Sequence, residues 1–216
     1  MHDKPKALDL FCGAGGASRG LQLAGFHVTG VDIKPQPRYC GDVFIRADAL
    51  TFNLSGFDFI WASPVCKEYS ITKSMWRDRS HPDQVGTIRG KLETAGLPYV
   101  IENVRGAPLR NPIMLCGQMV GLPFLYRHRY FENNLGFLVP PHPKHRGSTN
   151  ASRGFSSFEK GAKVICVAGH NFRVEDAKLA MGINWMTQAE LSQAIPPAYS
   201  EFLGRQIMRA CFERAA

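Results

Sequence analysis

The chain has 216 residues and carries 26 lysines and arginines against 18 aspartates and glutamates, a formal net charge of +8. This length favours a single domain over residues 1–216, and the basic balance favours a polyanionic partner. The six cysteines are widely spaced and form no C-x-x-C pair, which argues against a disulfide framework. The sequence also shows no apolar leader and no run of 18 apolar residues, which argues against secretion and a membrane span. We therefore expect a cytoplasmic protein without membrane contact.

A glycine-rich turn at residues 12–16 separates a predicted strand (7–11) from a predicted helix (17–24). A second apolar strand, residues 26–31, follows and ends on Asp32. Strand, glycine turn, helix, strand and acid form a nucleotide-binding βαβ unit. The order F-x-G-x-G-G differs from the dinucleotide pattern G-x-G-x-x-G and suits a nucleoside without phosphates, such as S-adenosylmethionine (SAM). A tight turn without a ligand is the alternative.

The next two predicted strands are residues 43–45 and 57–62. Asp48 follows the first, where an acid could accept from an adenine amino group or simply face solvent. Cys66 follows the second, in a polar loop behind a proline. Ligands of open α/β sheets lie beyond the carboxyl ends of the strands, so Cys66 should face the same crevice as the glycine turn. It is either a reactive thiol or a small buried hydrophobe.

A polar and basic segment at residues 71–79 could be a mobile loop over the site or a plain surface loop. A helix is predicted from the N-cap Asp83 to residue 95, closed by Gly96. The strand at residues 98–101 then ends on Glu102. A carboxylate at a buried strand end is costly unless it is paired or used, which makes Glu102 a second catalytic candidate at the same sheet edge.

Residues 105–117 are predicted to be a connection rich in proline and glycine, and residues 126–131 a strand with both arginines on one face. These arginines could be a solvated face or a fork for a base or phosphate. The composition breaks at residues 136–163, which we interpret as a long loop or small insert. His142 and His145 are spaced H-x-x-H, but no cysteine pair nearby completes a site, so no metal is expected.

The remaining predicted elements are a strand at residues 163–167, a helix at 174–181, a short helix at 189–194 and a final helix at 198–214. Thr187 and Glu190 have the spacing of a capping box. Together the elements predict an α/β fold, a doubly wound and mostly parallel Rossmann-like sheet.

In their order along the chain these segments resemble the cytosine-C5 DNA methyltransferase family. The matching motifs are D-L-F-C-G-A-G-G at residues 9–16, S-P-V-C-K at 63–67, E-N-V at 102–104, R-H-R at 127–129 and Q-A-I-P-P at 193–197. The resemblance implies that Cys66 is the nucleophile, that Glu102 contacts the base, that Asn103 holds the loop, and that Arg127 and Arg129 support them. The short chain is also similar to compact methylases of phages and prophages, which implies a bacterial or phage source.

The resemblance implies SAM as the cofactor and double-stranded DNA as the partner, with the target cytosine flipped out of the duplex. The expected cofactor-binding residues are Phe11, Gly13, Ala14, Gly15, Gly16, Asp32, Ile33, Asp48, Ala49, Pro64, Gln193 and Ala194. The expected nucleic-acid-binding residues are Lys67, Tyr69, Ser70, Lys73, Trp76, Arg77, Lys144 and Arg146. With so few residues between the R-x-R and late motifs, we expect a short or relaxed recognition sequence, or a partner that supplies specificity. We also expect the protein to be monomeric in solution.

Three positions depart from the family pattern, which has P-P-C-Q around the nucleophile and usually Asn in the late motif. Val65 replaces a proline, Lys67 replaces a glutamine, and Gln193 stands at the Asn position. A lysine beside a thiol favours the thiolate, or it could grip a phosphate. The alternatives are an RNA cytosine-C5 methyltransferase, transfer of another group from a modified SAM, and a catalytically impaired DNA- or SAM-binding regulator.

Overall fold

Among the residues that the computed structural model describes, seven strands form one sheet in the order β3-β2-β1-β4-β5-β7-β6. The structure describes residues 3–65, 83–145, 147–149 and 156–213. Strands β1 to β5 pair in parallel, while β7 is antiparallel to both β5 and β6. The strands are β1 (Lys6–Leu10), β2 (His27–Asp32), β3 (Val43–Arg46), β4 (Phe59–Ala62), β5 (Tyr99–Asn103), β6 (Ile113–Cys116) and β7 (His128–Asn133).

Helices cover both faces of this sheet. One apolar cluster contains buried residues of four helices, α1, α3, α4 and α5, and the other contains the buried face of α2. The mostly parallel sheet with helices on both faces confirms the predicted doubly wound fold class. The helices are α1 (Gly16–Leu23), α2 (Gln84–Ala95), α3 (Val174–Met181), α4 (Gln188–Gln193) and α5 (Pro197–Ile207).

The predicted helix caps are present. Asp83 accepts a hydrogen bond from the Gly86 N–H at the start of α2, and Gly96 ends that helix in the left-handed conformation. Thr187 and Glu190 form the predicted capping box of α4, in which each side chain bonds the other residue's backbone N–H. These local signals fix where both helices begin, because they satisfy backbone donors that the helix leaves free.

Helices α1 and α5 pack at unusually short range. A Cβ added to Gly20 would lie 2.1 Å from the Pro197 carbonyl oxygen, and one added to Gly204 would lie 2.8 Å from the Ala24 Cβ. Only glycine allows this approach. The contact brings the segment before α5 against the glycine turn that precedes α1.

Three predicted elements need correction. Residues 163–167 are not a strand, because only Ile165 forms a bridge, with Leu125. Their apolar pattern reflects burial of Val164 and Val167 in the core rather than ladder pairing. The expected connection at 105–117 contains strand β6, whose four residues are too few to show a period. The last predicted helix ends early: α5 stops at Ile207, and a π-helical turn, Met208–Phe212, follows.

Within the described parts of residues 136–163 there is no helix or strand, and Ser156 forms an isolated bridge with Phe172. Across the described residues, no helix has the length and apolarity that a bilayer crossing requires.

Candidate active site

The sheet reverses its strand order between β1 and β4, because β1 is followed outwards by β2 and β3 and β4 by β5. Ligands of open α/β sheets bind outside the carboxyl ends of the strands at such a switch point. The glycine turn leaves β1 here, and residues 63–65 leave β4. The Ser63 N–H donates to the Leu10 carbonyl at 3.1 Å, so the two segments are joined at this edge.

The glycine turn bends sharply and is tied to the end of β2. Phe11, Gly13 and Gly15 have φ values of 62°, 51° and 85°, and the Gly13 N–H donates to Asp32 Oδ2 at 3.0 Å. Asp32 Oδ1 accepts from the Lys34 N–H at 2.9 Å. Each carboxylate oxygen can accept more than one hydrogen bond, so Asp32 retains acceptor capacity. A Cβ at Gly13 would meet no heavy atom within 4 Å, so the turn borders open space.

The late sequence motif lies against the other side of the turn. A Cβ at Gly16 would lie 2.3 Å from the Ile195 carbonyl oxygen. The indole N–H of Trp185 donates to the Ala14 carbonyl at 2.9 Å. Gln193 is exposed and Ala194 is half-buried. The structure therefore brings together the first and last of the segments that the sequence assigned to one cofactor.

The other expected cofactor residues line the same sheet edge. Ile33 is 63% exposed just beyond β2, and Asp48 is exposed just beyond β3, where it accepts from the Leu50 N–H at 2.9 Å. Ala49 and Pro64 are buried. Exposed side chains beyond strand ends are available to a ligand, whereas buried ones shape the backbone around it.

Glu102 lies at the carboxyl end of β5 and is only 5% exposed. Its Oε1 is 3.0 Å from Arg129 Nε, an ion pair that is itself largely buried. Burial raises the pKa of Glu102, while Arg129, Arg127 and a hydrogen bond from Ser63 act in the opposite direction. Because burial prevails, Glu102 can hold a proton at a higher pH than an exposed glutamate.

The segment that leads to Cys66 is held by two side chains. Asn103 Nδ2 donates to the Pro64 carbonyl at 3.1 Å, and Gln84 Oε1 accepts from the Val65 N–H at 3.1 Å. Asn103 thus joins the end of β5 to the segment that follows β4. Cys66 itself lies outside the described residues, as do the nucleic-acid candidates Lys67, Tyr69, Ser70, Lys73, Trp76, Arg77 and Arg146; the remaining candidate, Lys144, is exposed.

The two arginines of the R-H-R segment have different partners. Arg129 pairs with Glu102, whereas the buried Arg127 donates to the carbonyls of three residues. Burial, with the nearby Arg129 charge, lowers the pKa of Arg127 to about 9, so it remains cationic at neutral pH. Arg127 makes no hydrogen bond to Glu102 among the described residues and instead ties the chain just before β7 to the end of α4 and to Val167. The accepting carbonyls are those of Val167, Ser192 and Ala194.

One buried acid was not assigned a role from the sequence. Asp9 on β1 is fully buried; its Oδ2 accepts from the Ser18 hydroxyl at 2.5 Å, and its Oδ1 has no partner among the described residues. Burial raises the pKa of Asp9 to about 7, and the charges of Asp32 and Glu102 add to the effect. The sequence did carry a sign of this burial, because Asp9 is an acid within an otherwise apolar strand.

No protein-family model and no curated protein matches this sequence. Three methyltransferases of known structure share its fold. One is a proposed DNA modification methyltransferase encoded within an E. coli prophage, with a TM-score of 0.63 and 15% identity over 97% of this chain and 100% of that one. The second is the S. pombe Dnmt2 methyltransferase, with a TM-score of 0.62 and 12% identity over 96% of this chain and 99% of that one. The third is the Entamoeba histolytica methyltransferase EhMeth, with a TM-score of 0.63 and 12% identity over 98% of this chain and 100% of that one. At these identities the likeness establishes the fold.

Proposed function

We propose that this chain is a SAM-dependent DNA cytosine-C5 methyltransferase. The observation that carries the proposal is the position of Glu102 and Asn103 at the switch point: a buried carboxyl of raised pKa lies beside the segment that leads to Cys66. The glycine turn borders the same edge. The ordered sequence motifs and the fold shared with three methyltransferases support the same reaction class.

The residues around the glycine turn fit a nucleoside cofactor such as SAM. The open space beside Gly13 allows close approach, and Asp32 has acceptor capacity for ribose hydroxyls. Asp48 and Ile33 are exposed at the neighbouring strand ends, where they would contact an adenine ring. SAM, when bound there, would supply the methyl group.

The chain's own groups would activate the base. Cytosine C5 is a poor nucleophile, and addition of the Cys66 thiolate to C6 makes C5 enamine-like. A protonated Glu102 would hydrogen-bond N3 and stabilise the charge that develops on the ring, and Arg129 would hold Glu102 in place. After transfer, a base removes the C5 proton, the C6–S bond breaks and the thiolate of Cys66 is released.

The target cytosine must leave the duplex to reach Cys66, so the enzyme would flip the base. Contacts from Lys144 and the basic residues after Cys66 to phosphates would supply most of the affinity. Binding should therefore weaken steeply between about 50 and 200 mM salt. A flat salt dependence would contradict this part of the proposal.

The test uses the purified full chain, SAM with a labelled methyl group, and unmethylated plasmid, followed by bisulfite sequencing. We expect new 5-methylcytosine in one short sequence context. Cys66→Ser should abolish transfer and spare DNA binding, whereas Cys211→Ser, a control at an exposed cysteine, should leave transfer unchanged. Glu102→Gln should lower the rate by about 10²–10⁴-fold, and the exposed Glu93→Gln should not change it.

Each outcome bears on a different part of the proposal. Methylation that survives Cys66→Ser would overturn the covalent mechanism. Cys66-dependent methylation of RNA but not of DNA would keep the chemistry and overturn the substrate. SAM and DNA binding without transfer to either nucleic acid would support a regulatory binding protein instead.

The pH profile is a separate test of Glu102. Because burial raises its pKa, the part of the rate that depends on protonated Glu102 should fall as pH rises through that raised pKa. An amide cannot titrate, so the residual activity of Glu102→Gln should lack this alkaline decline.

A further inference from the structure

Four potential metal ligands converge at the outer strands of the sheet. The Cys116 sulfur and one ring nitrogen each of His128, His142 and His145 all lie within 4.8 Å of one another. Cys116 ends β6 and His128 begins β7, and the two residues are paired in the sheet. His142 and His145 come from the proline-rich coil that follows β7. The ligands thus come from three separate segments that the fold brings together.

The ligand atoms have short mutual distances. His128 Nε2 lies 2.9 Å from His142 Nε2 and 3.1 Å from His145 Nε2. The Cys116 Sγ lies 3.7 Å from His145 Nε2. Zinc bonds of about 2.0–2.1 Å to nitrogen and 2.3 Å to sulfur give tetrahedral edges of roughly 3.4 Å between nitrogens and 3.6 Å between nitrogen and sulfur. These three distances agree with such a tetrahedron to within about 0.5 Å, and the other distances between the four ligand atoms do not exceed 4.8 Å.

Gln118 orients one of these ligands. Its Nε2 donates to the Pro123 carbonyl at 3.1 Å, so its Oε1 faces His145 Nδ1 at 3.0 Å. An amide oxygen only accepts, so the proton of a neutral His145 is on Nδ1, and its Nε2 carries a lone pair directed at the cluster. Hydrogen bonds of this kind, from the ring nitrogen that does not bind metal, typically support metal-binding histidines.

Protons alone satisfy this arrangement poorly. Since His145 Nε2 carries a lone pair, its contact with His128 needs a proton on His128 Nε2. The same proton must then also serve the 2.9 Å contact between His128 and His142. A cation at the centre would accept the lone pairs of all three imidazoles and of the Cys116 thiolate at once.

We propose that Cys116, His128, His142 and His145 bind a zinc ion in a closed, tetrahedral, structural site. Three imidazoles and one thiolate are ligands that zinc prefers, and four protein ligands leave no open position for a substrate or water. The sequence alone led us to expect no metal at His142 and His145, and this proposal replaces that expectation. The proposal rests on the geometry of these four side chains and holds whether or not the chain is a methyltransferase.

The ion would fasten the coil at residues 136–145 to the sheet edge. Among the described residues, the other polar attachment of this stretch is at Leu138, whose N–H and carbonyl bond the Gln206 side chain at 2.9 and 3.1 Å. The His128 carbonyl also accepts from Arg129 NH1 at 2.9 Å. A zinc ion bound to His128 would therefore fix the start of β7, the strand whose Arg129 pairs with Glu102.

The first test is the metal content of the full chain, purified without a polyhistidine tag and without chelator, by inductively coupled plasma mass spectrometry. We expect about one zinc per chain. His142→Ala should lose the zinc, because it removes a ligand at an exposed position where folding tolerates the change. His170→Ala, which removes another exposed histidine outside the cluster, should keep it. Circular dichroism of each variant shows that the chain is folded.

The second test replaces zinc with Co²⁺, whose spectrum reports the ligands. The wild-type protein should show the intense visible bands of tetrahedral cobalt and a near-ultraviolet sulfur-to-cobalt charge-transfer band. Cys116→Ser should remove the charge-transfer band. Gln118→Ala should weaken zinc binding by about 10–100-fold in competition with a chelator, because it releases the orientation of His145.

Three results would overturn the proposal. Wild-type protein that contains no zinc, or His142→Ala with the same zinc content as wild-type protein, would exclude the closed site of four protein ligands. A Co²⁺ complex without the charge-transfer band would exclude Cys116 as a ligand. Recovery of copper or iron in place of zinc, with the same ligand dependence, would overturn the identity of the metal.

Discussion

Substitution of Asp9 by Asn should make the protein more stable at alkaline pH. Asp9 is fully buried on β1, and only the Ser18 hydroxyl donates to its carboxylate among the described side chains. The acidic groups that face it, Asp32 and Glu102, oppose its ionisation. Asparagine has nearly the same shape, stays neutral at every pH and can still accept the Ser18 hydrogen bond.

The magnitude follows from the pKa of Asp9, which burial raises from 3.8 to about 7. Between these values the unfolded chain loses the proton while the folded chain keeps it, so the free energy of unfolding falls as pH rises. A pKa difference of about 3 corresponds to about 4 kcal/mol in total, of which about 2.5 kcal/mol falls between pH 5 and pH 8. Above the folded pKa the loss is complete and levels off.

The assay is urea unfolding of wild-type protein and Asp9→Asn at several pH values from 5 to 8. The difference in unfolding free energy between the two proteins should grow by about 2.5 kcal/mol over this range, because other titrating groups cancel. Ser18→Ala removes the hydrogen bond that lowers the pKa of Asp9, so it should shift the pH window upwards. A difference that stays constant with pH would refute the assigned pKa and the role of burial.

Two further predictions concern packing and charge. Arg89→Met should lower the free energy of unfolding in urea by about 3–5 kcal/mol, because it leaves the buried Glu132 without its 2.7 Å ion pair. The control Arg110→Met, at an exposed ion pair, should lower it by less than about 1 kcal/mol. Equal losses of unfolding free energy in the two variants would contradict this prediction. Gly20→Ala should destabilise the fold by about 1–3 kcal/mol, because the added methyl group forces α1 and α5 apart. Gly90→Ala, whose Cβ would lie in open space, should stabilise the fold by about 0.5–1 kcal/mol. Thermal unfolding would contradict the second prediction if both alanines raised the melting temperature.

Elements with a local signal were predictable from the sequence. Helix α2 has an N-cap, Asp83, and a terminal glycine, Gly96, and the structure has both. Strand β6 lacks such a signal, since among the described strands its four residues pair with β7 alone, and no local motif specifies that pairing. Residues 163–167 show the converse, because an apolar run indicates burial but does not specify a hydrogen-bonding partner.

The candidate site also has parts that were predictable from the sequence and parts that were not. The sheet edge of Glu102 and Asn103 was predictable, because carboxyl ends of parallel strands meet at one edge. The partner of each arginine was not, since Arg127 and Arg129 share a face and only the tertiary structure separates their contacts. The convergence of Cys116 and His128 with the H-x-x-H segment was equally hidden, because no sequence spacing links residues on paired strands to a later coil.

The packing of α1 against α5 also constrains the order of events during synthesis. The Ser200 hydroxyl donates to the Ala17 carbonyl across 183 positions, and Trp185 reaches Ala14 across 171. The glycine turn is therefore synthesised long before the residues that support it. A nascent chain that carries β1 to β5 but not yet α5 lacks one side of the packing around this turn, so the turn should reach its final structure only after α5 has been synthesised.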